Sequence, residues 1–213
     1  GLVGSEMCIR DSPASPDEVE AKLPQVLVEK WELVLKNNEK LSEWWERLLF
    51  WRRHLDNGTI DSDITFNDAQ LEEWKLEAFT QASMGEKKLQ TVFEKDLVFF
   101  FENVFPQDFI RVFNKELPAR ITVPSGSHIK VIYPQDKAPY LEVRIQEVFV
   151  MMETPKVLFG KVPLTFHLLG PNFRPVQVTS NLESFWKNGY PEVRKELRLS
   201  LIHISEPTRP LYI

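Results

Sequence analysis

Three histidines are the first residues to weigh for chemistry: His54, His128 and His167. A general base needs a proton partner within hydrogen-bond reach, and a metal ion needs several ligands converging on one point. No H-x-x-x-H or H-E-x-x-H spacing supplies such ligands. His128 stands beside a predicted hairpin turn and His167 inside a predicted strand, where surface or half-buried strand histidines are ordinary. His54 ends the run Arg52-Arg53-His54 at the close of a predicted helix, where cations complement the helix dipole. The chain carries neither a G-x-x-x-x-G-K-[ST] loop, whose glycines let backbone N–H groups approach phosphate, nor a G-x-G-x-x-G dinucleotide turn. We therefore assign no catalytic residue, no metal ligand and no cofactor to this stretch.

The chemistry that remains is electrostatic. Arg174 lies in a predicted hairpin, and Lys187, Arg194, Lys195 and Arg198 lie on or near the last predicted helix. These five are the candidate nucleic-acid-binding residues, because phosphate contacts need only point charges or guanidinium forks. Glu192 and Glu196 interleave with them, so a solvated, self-paired helix face is the competing reading. Base stacking needs exposed aromatics beside cations. Trp44, Trp45, Trp51, Phe99, Phe100 and Phe101 instead follow helical apolar faces amid acidic residues, which assigns them to core packing.

Charge is distributed unevenly around these candidates. The whole chain has a net charge of −5. Residues 13–118 hold 13 basic and 21 acidic side chains, and residues 119–198 hold 11 and 7. The basic half can face phosphate or neutralise the acidic half. No apolar run approaches the roughly 18 residues of a membrane span, so no membrane contact is expected.

The two ends read differently from the rest. "LSLIHISEPTR" at 199–209 and "LVGSEMCIRDS" at 2–12 decode one DNA from opposite strands, the second reading shifted by one nucleotide. Both resemble a translated sequencing adapter, so 1–12 and 199–213 are set aside as artefacts and 13–198 is expected to be a piece of something longer. The single cysteine, Cys8, falls in the discarded end. A cysteine-free remainder points to the reducing cytoplasm.

The elements that must position the candidates change period midway. Helices are predicted over Asp17 to Asn37 with a kink at Pro24, from an Asn38 cap to Asp56-Asn57-Gly58, from Asn67 to Gly85, across "KKLQTVFEKDLVFFFENVF", and from Pro106 to before Pro118. "ARITVPSGSHIKVIY" then alternates around Pro124-Ser125-Gly126 as a β-hairpin, and "KVPLTFHLLG" with "RPVQVT" forms a second around Gly170-Pro171-Asn172. Between them Leu141, Ile145, Val148 and Met152 fit a helix, which we predict there although Leu141, Val143 and Ile145 also alternate. Ser180 or Asn181 caps a final helix, interrupted near Gly189-Tyr190-Pro191. The fold class is α+β: a helical region over 13–118, then a small unit of β-hairpins with a C-terminal helix over 119–198.

Five ordered blocks carry a resemblance. "LPARITVPSGSHIKVIY", "LEVRIQEVF", "ETPKV", "VPLTFHLLGPNFRPVQVT" and "LESFWKNGYPEVRKELR" together resemble the C-terminal region of HrpB-type ATP-dependent helicases, in the DEAH/RHA branch of superfamily 2. The resemblance implies a parent chain with two RecA-like motor domains that bind ATP and Mg, lie upstream of this stretch, and move along nucleic acid. None of the family's catalytic residues maps onto this sequence. One departure is Val150, where the family more often has Gly; a glycine helix stop there would put the helix predicted over 141–152 in doubt. Two readings of the function stand: an accessory region assisting RNA or DNA binding, with the parent's helicase core as partner, and a protein-interaction or scaffold module without nucleic-acid contact.

Overall fold

The computed structural model describes residues 16–60, 65–170 and 172–195. Its architecture is α+β, with helices first and short strands after them. The chain forms two compact units: residues up to Ser42 with Thr65–Gln107, and Glu43–Ile64 with Asp108 onward.

The first unit is built from helices α1 (Pro16–Glu29), α2 (Trp31–Asn37), the start of α3 (Glu39–Asp56), α4 (Asp68–Ala82), α5 (Leu89–Phe93) and α6 (Leu97–Val104). α4 packs against both α1 and α6. Asn67 starts α4 with a reciprocal capping box to Gln70, and Gly85 follows its end at φ +75°. Leu27, Val34, Phe79, Leu97 and Phe101 are fully buried, and each such side chain stabilises the unit by about 1.5–3 kcal/mol relative to exposure. Trp31, Phe79 and Phe101 meet edge-on or tilted, at centroid separations of 5.4 to 6.0 Å. The apolar run at 97–101 is a helix, as its flanking charges predict.

Two boundaries differ from the sequence reading. Pro24 sits inside α1 without ending it, and the break falls at Lys30 instead. Burial of Leu23 and Leu27 on either side holds the turn that lacks the proline's donor. The single helix predicted over 87–105 is split into α5 and α6. At the break the Asn38 amide nitrogen donates to the carbonyls of Phe93 at 3.0 Å and Lys95 at 3.1 Å, and Lys95 O also accepts from the Leu97 N–H, so the carbonyls of the corner are satisfied without a continuous helix. The Asn38 side chain also caps α3 by accepting from the Leu41 N–H at 2.9 Å. Lys95 closes the corner by donating to the Ala82 carbonyl at 2.6 Å and pairing with Glu86 at 2.8 Å.

Among the described residues, the second unit holds the rest of α3, then α7 (Gln107–Glu116), and seven short strands. β1 (Arg120–Thr122) and β2 (His128–Lys130) form the first predicted hairpin. β3 (Tyr140–Arg144), β6 (Thr165–Leu169) and β7 (Pro175–Thr179) make a sheet in the order β3-β6-β7. β6 and β7 are the second predicted hairpin, and β3 lies parallel to β6. β4 (Lys156–Val157) pairs with β5 (Val162–Pro163) in the crossover between β3 and β6. Trp51, Phe109 and Phe113 pack under this unit, with Phe109 and Phe113 stacked at 5.3 Å.

The helix predicted over 141–152 is corrected to strand β3 followed by a 3-10 turn, Ile145–Val148. Leu141, Ile145 and Val148 are buried as the helical pattern requires, but so is Val143. Pairing with β6 more than 20 residues away decides the matter, and a parallel partner leaves no local trace in the sequence. Val150, at the helix-stop position, has φ +67° and is 87% exposed. The last helix begins at the Asn181 cap with α8 (Leu182–Ser184), passes through a π turn (Phe185–Gly189) and continues over 190–195. The π turn answers Pro191, which supplies no donor and would crowd the carbonyl four residues back; the Tyr190 N–H reaches Phe185 O instead.

Polar contacts join these elements. Buried Arg47 donates through Nε to Leu117 O at 2.8 Å and through Nη2 to Asn114 Oδ1 at 2.8 Å, with its guanidinium over Phe113. The Tyr133 hydroxyl donates to Pro118 O at 2.8 Å, and burial pushes its pKa well above the ordinary phenol range. Glu147 pairs with Arg144 at 3.2 Å, accepts from the Ser127 hydroxyl at 3.2 Å, and offers its backbone carbonyl to the Ser125 N–H. The 3-10 turn thus fixes the tip of the first hairpin. The hydrogen bond from Arg144 holds the Glu147 carboxyl below the usual carboxylate range, against the opposing effect of burial.

Three outcomes follow for stability. Arg47→Ala orphans a buried carbonyl and lowers unfolding free energy by about 3 kcal/mol in urea titration, against about 1 kcal/mol for Tyr133→Phe. Val150→Gly relieves a left-handed β-branched residue that buries nothing, and raises stability by about 0.5–1 kcal/mol. The contribution of Glu147 is present above the ordinary pKa of 4.5 and is lost as pH falls through its lowered folded-state value. Glu147→Gln therefore melts lower than the wild type near neutrality, and the two melting temperatures converge below pH 4.5.

Candidate nucleic-acid interface

Strand alternation sorts the β3-β6-β7 sheet into two faces. Leu141 and Val143 of β3 and Phe166 and Leu168 of β6 are buried. Tyr140, Glu142 and Arg144, with Thr165, His167 and Leu169, therefore share the opposite face, in parallel register as Tyr140↔Thr165, Glu142↔His167 and Arg144↔Leu169. The Tyr140 and His167 rings stack at 4.3 Å with 15° between their planes, and Glu142 Oε1 is 4.0 Å from His167 Nδ1. β7 adds Val178 opposite His167, and Val178 is exposed. This face is a shallow platform of rings and mixed charge.

The β6–β7 turn continues the platform. Phe173 N–H donates to Gly170 O at 3.0 Å and Gly170 N–H to Arg174 O at 2.9 Å. Between them Phe173 takes φ +57° with its side chain 66% exposed. A left-handed L-residue costs roughly 1–2 kcal/mol, and core packing repays neither that nor the exposed ring. The Arg144 guanidinium lies 5.3 Å from the centroid of the Phe173 ring.

The candidate cations among the described residues fall in two places. Arg174 is exposed at this hairpin turn. Lys187 is exposed in the π turn and pairs with Glu183 at 2.6 Å, a hydrogen bond that holds the Glu183 carboxyl below its ordinary range. Arg194 and Lys195 are exposed on the helical segment 190–195, and Arg198 lies outside the described residues. Among the described residues, no ion pair involves Arg174, Arg194 or Lys195. Lys187, Arg194 and Lys195 share one helix. Beside them Trp186 and Tyr190 meet at 5.2 Å, Phe149 approaches Trp186 at 5.7 Å, and Trp186 Nε1 donates to Met151 O.

The sequence reading missed Phe173, Arg144 and the Tyr140–His167 pair. "NFRP" carried a usable signal, an aromatic beside a cation at a turn. Tyr140 and His167 are brought together by the parallel pairing alone. Trp44, Trp45, Trp51 and Phe101 are buried as expected, whereas Phe99 is exposed. The other two histidines among the described residues make ordinary contacts. A ring nitrogen of His128 lies 3.0 Å from Thr122 Oγ1, and His54 Nδ1 lies 2.9 Å from Phe50 O with the two rings tilted at 4.2 Å. Among the described residues, no group of three or more His, Cys, Asp or Glu converges as a metal site would require, and no helix is long and apolar enough to cross a membrane.

Comparison with known proteins gives one answer. The family described as ATP-dependent helicase C-terminal, HrpB_C, matches residues 77–203. The chain is 35% identical over 148 residues to the ATP-dependent RNA helicase HrpB of Escherichia coli (strain K12), an alignment covering 70% of this chain and 18% of that protein. It is similar to the crystal structure of the E. coli DExH-box NTPase HrpB, with TM-score 0.72 and 29% identity over 95% of this chain and 25% of that one. It is similar also to the crystal structure of the Escherichia coli DEAH/RHA helicase HrpB, with TM-score 0.67 and 29% identity over 87% of this chain and 23% of that one. The chain thus spans about a quarter or less of the length of these relatives. By the family match and by the α+β architecture it shares with them, this chain belongs to the C-terminal region of HrpB-type ATP-dependent helicases.

Proposed function

We propose that this chain is an accessory region of an ATP-dependent nucleic-acid helicase, which helps hold the strand while motor domains elsewhere in the parent hydrolyse ATP with Mg and act as its packing partner. The observation that carries the reading is the exposure of Arg174, Arg194 and Lys195 without ion pairs among the described residues, in a half of the chain with excess positive charge. Lys187 contributes less, because Glu183 already compensates its charge. Such contacts neutralise phosphates and release counterions, and they carry no sequence information. The absence of cysteine between Pro13 and Arg198 supports a cytoplasmic placement.

A second reading, a protein-docking module, is favoured by a different observation. Phe149, Val150 and Met152 are exposed next to Trp186 and Tyr190. A protein-docking module without nucleic-acid contact has nucleic-acid affinity near zero.

The readings separate in one titration. The chain is expected to bind single-stranded RNA or DNA with an affinity that falls steeply as salt rises. Combined Arg174→Ala, Arg194→Ala and Lys195→Ala reduces the slope of log K against log salt by about 2, at roughly 0.7 per phosphate contact on a single strand. Absence of salt-sensitive binding at low ionic strength rejects the first reading.

A further inference from the structure

We propose that the open face of the β3-β6-β7 sheet, extended by the Phe173–Arg174 turn, is a base-stacking platform for single-stranded nucleic acid. The proposal rests on the nucleic-acid reading above and assigns it a place. Four observations converge there. Phe173 is displayed at a hairpin tip in a left-handed backbone conformation, 66% exposed. One side of its ring is engaged by the Arg144 guanidinium at 5.3 Å, and Arg144 is itself fixed by Glu147, so the ring is held ready for a second stacking partner. Four residues earlier on the same face of β3, Tyr140 stacks on His167 at 4.3 Å, which makes a second aromatic station about 13 Å away along the strand. Arg174, next to Phe173, is exposed and has no ion pair among the described residues.

The charges set the orientation of the strand. Glu142 lies between the two stations and repels phosphate, so the bases face the sheet and the backbone runs outside it, towards Arg174. Aromatic faces accept any base, which gives sequence-tolerant binding with a preference for unpaired strands. A duplex keeps its bases stacked internally and offers nothing to Phe173.

The test is fluorescence anisotropy of the purified chain with labelled mixed-sequence single-stranded RNA, single-stranded DNA and a blunt duplex. Phe173→Ala is expected to weaken single-strand binding about tenfold, a typical effect of removing one stacking partner. Phe173→Trp is expected to retain binding, with its indole emission quenched by the added strand. Phe173→Gly relieves the backbone while deleting the ring, so a loss of affinity equal to that of Phe173→Ala, without loss of thermal stability, assigns the effect to the ring. Tyr140→Ala weakens binding as well, and Arg174→Ala lowers the single-strand salt slope by about 0.7. Wild-type affinity for Phe173→Ala, or equal affinity of the unaltered chain for duplex and single strand, overturns the platform while leaving the backbone-contact function standing. An unaltered chain that binds no nucleic acid at low salt overturns both.

Discussion

Four successive carbonyls, the last of α7 and the three that follow it, tie the second unit together. A helix leaves its last carbonyls without partners, and burying them unpaired is costly. Here Glu116 O accepts from Leu158 N–H, Leu117 O from Arg47 Nε, Pro118 O from the Tyr133 hydroxyl, and Ala119 O from Val131 N–H. The donors come from α3, from the segment after β2 and from the crossover after β4. Pro118 prevents the helix from running on and using those acceptors itself. Each hydrogen bond is modest, but together they bind a helix end to three distant segments. Tyr133 in turn precedes the segment that leads into β3, so the platform begins at this corner.

The sheet face follows from alternation imposed on that frame. Once Leu141, Val143, Phe166 and Leu168 are drawn into the core, the residues between them have no choice of side. Tyr140, His167 and Arg144 are placed outward by the same constraint that buries their neighbours. The structural likeness to the two E. coli helicase structures covers 95% and 87% of this chain, while the platform is a property of particular side chains on that fold.

Much of this was legible in the residues. Periodicity located most of the helices, Asn38 was readable as a cap, Asn67 as a helix start and Ser180 or Asn181 as the last cap, and both hairpins followed from their turns. What escaped reading depended on partners remote in sequence. The strand β3 carries a helical pattern as good as its alternating one, and only β6 resolves it. The break between α5 and α6 is invisible without Asn38, which lies more than 50 residues upstream. For the site, charge pointed to Arg174 and the last helix, whereas pairing of Lys187 with Glu183 and engagement of Phe173 by Arg144 needed geometry. Val150 lies between these cases: the substitution could be seen, but its positive φ could not.

Asn38 shows how narrow one position can be. As a helix cap it is nearly interchangeable with aspartate, since both offer a side-chain oxygen to the Leu41 N–H. Its other half donates to two carbonyls, and a carboxylate has no donor to give them. Replacing NH2 with O⁻, whether by a one-base codon change or by slow hydrolysis of the amide, preserves the start of α3 and sets a negative charge against Phe93 O and Lys95 O. Chemical ageing at that single amide would therefore loosen α5 and α6 while the helix it caps stays wound.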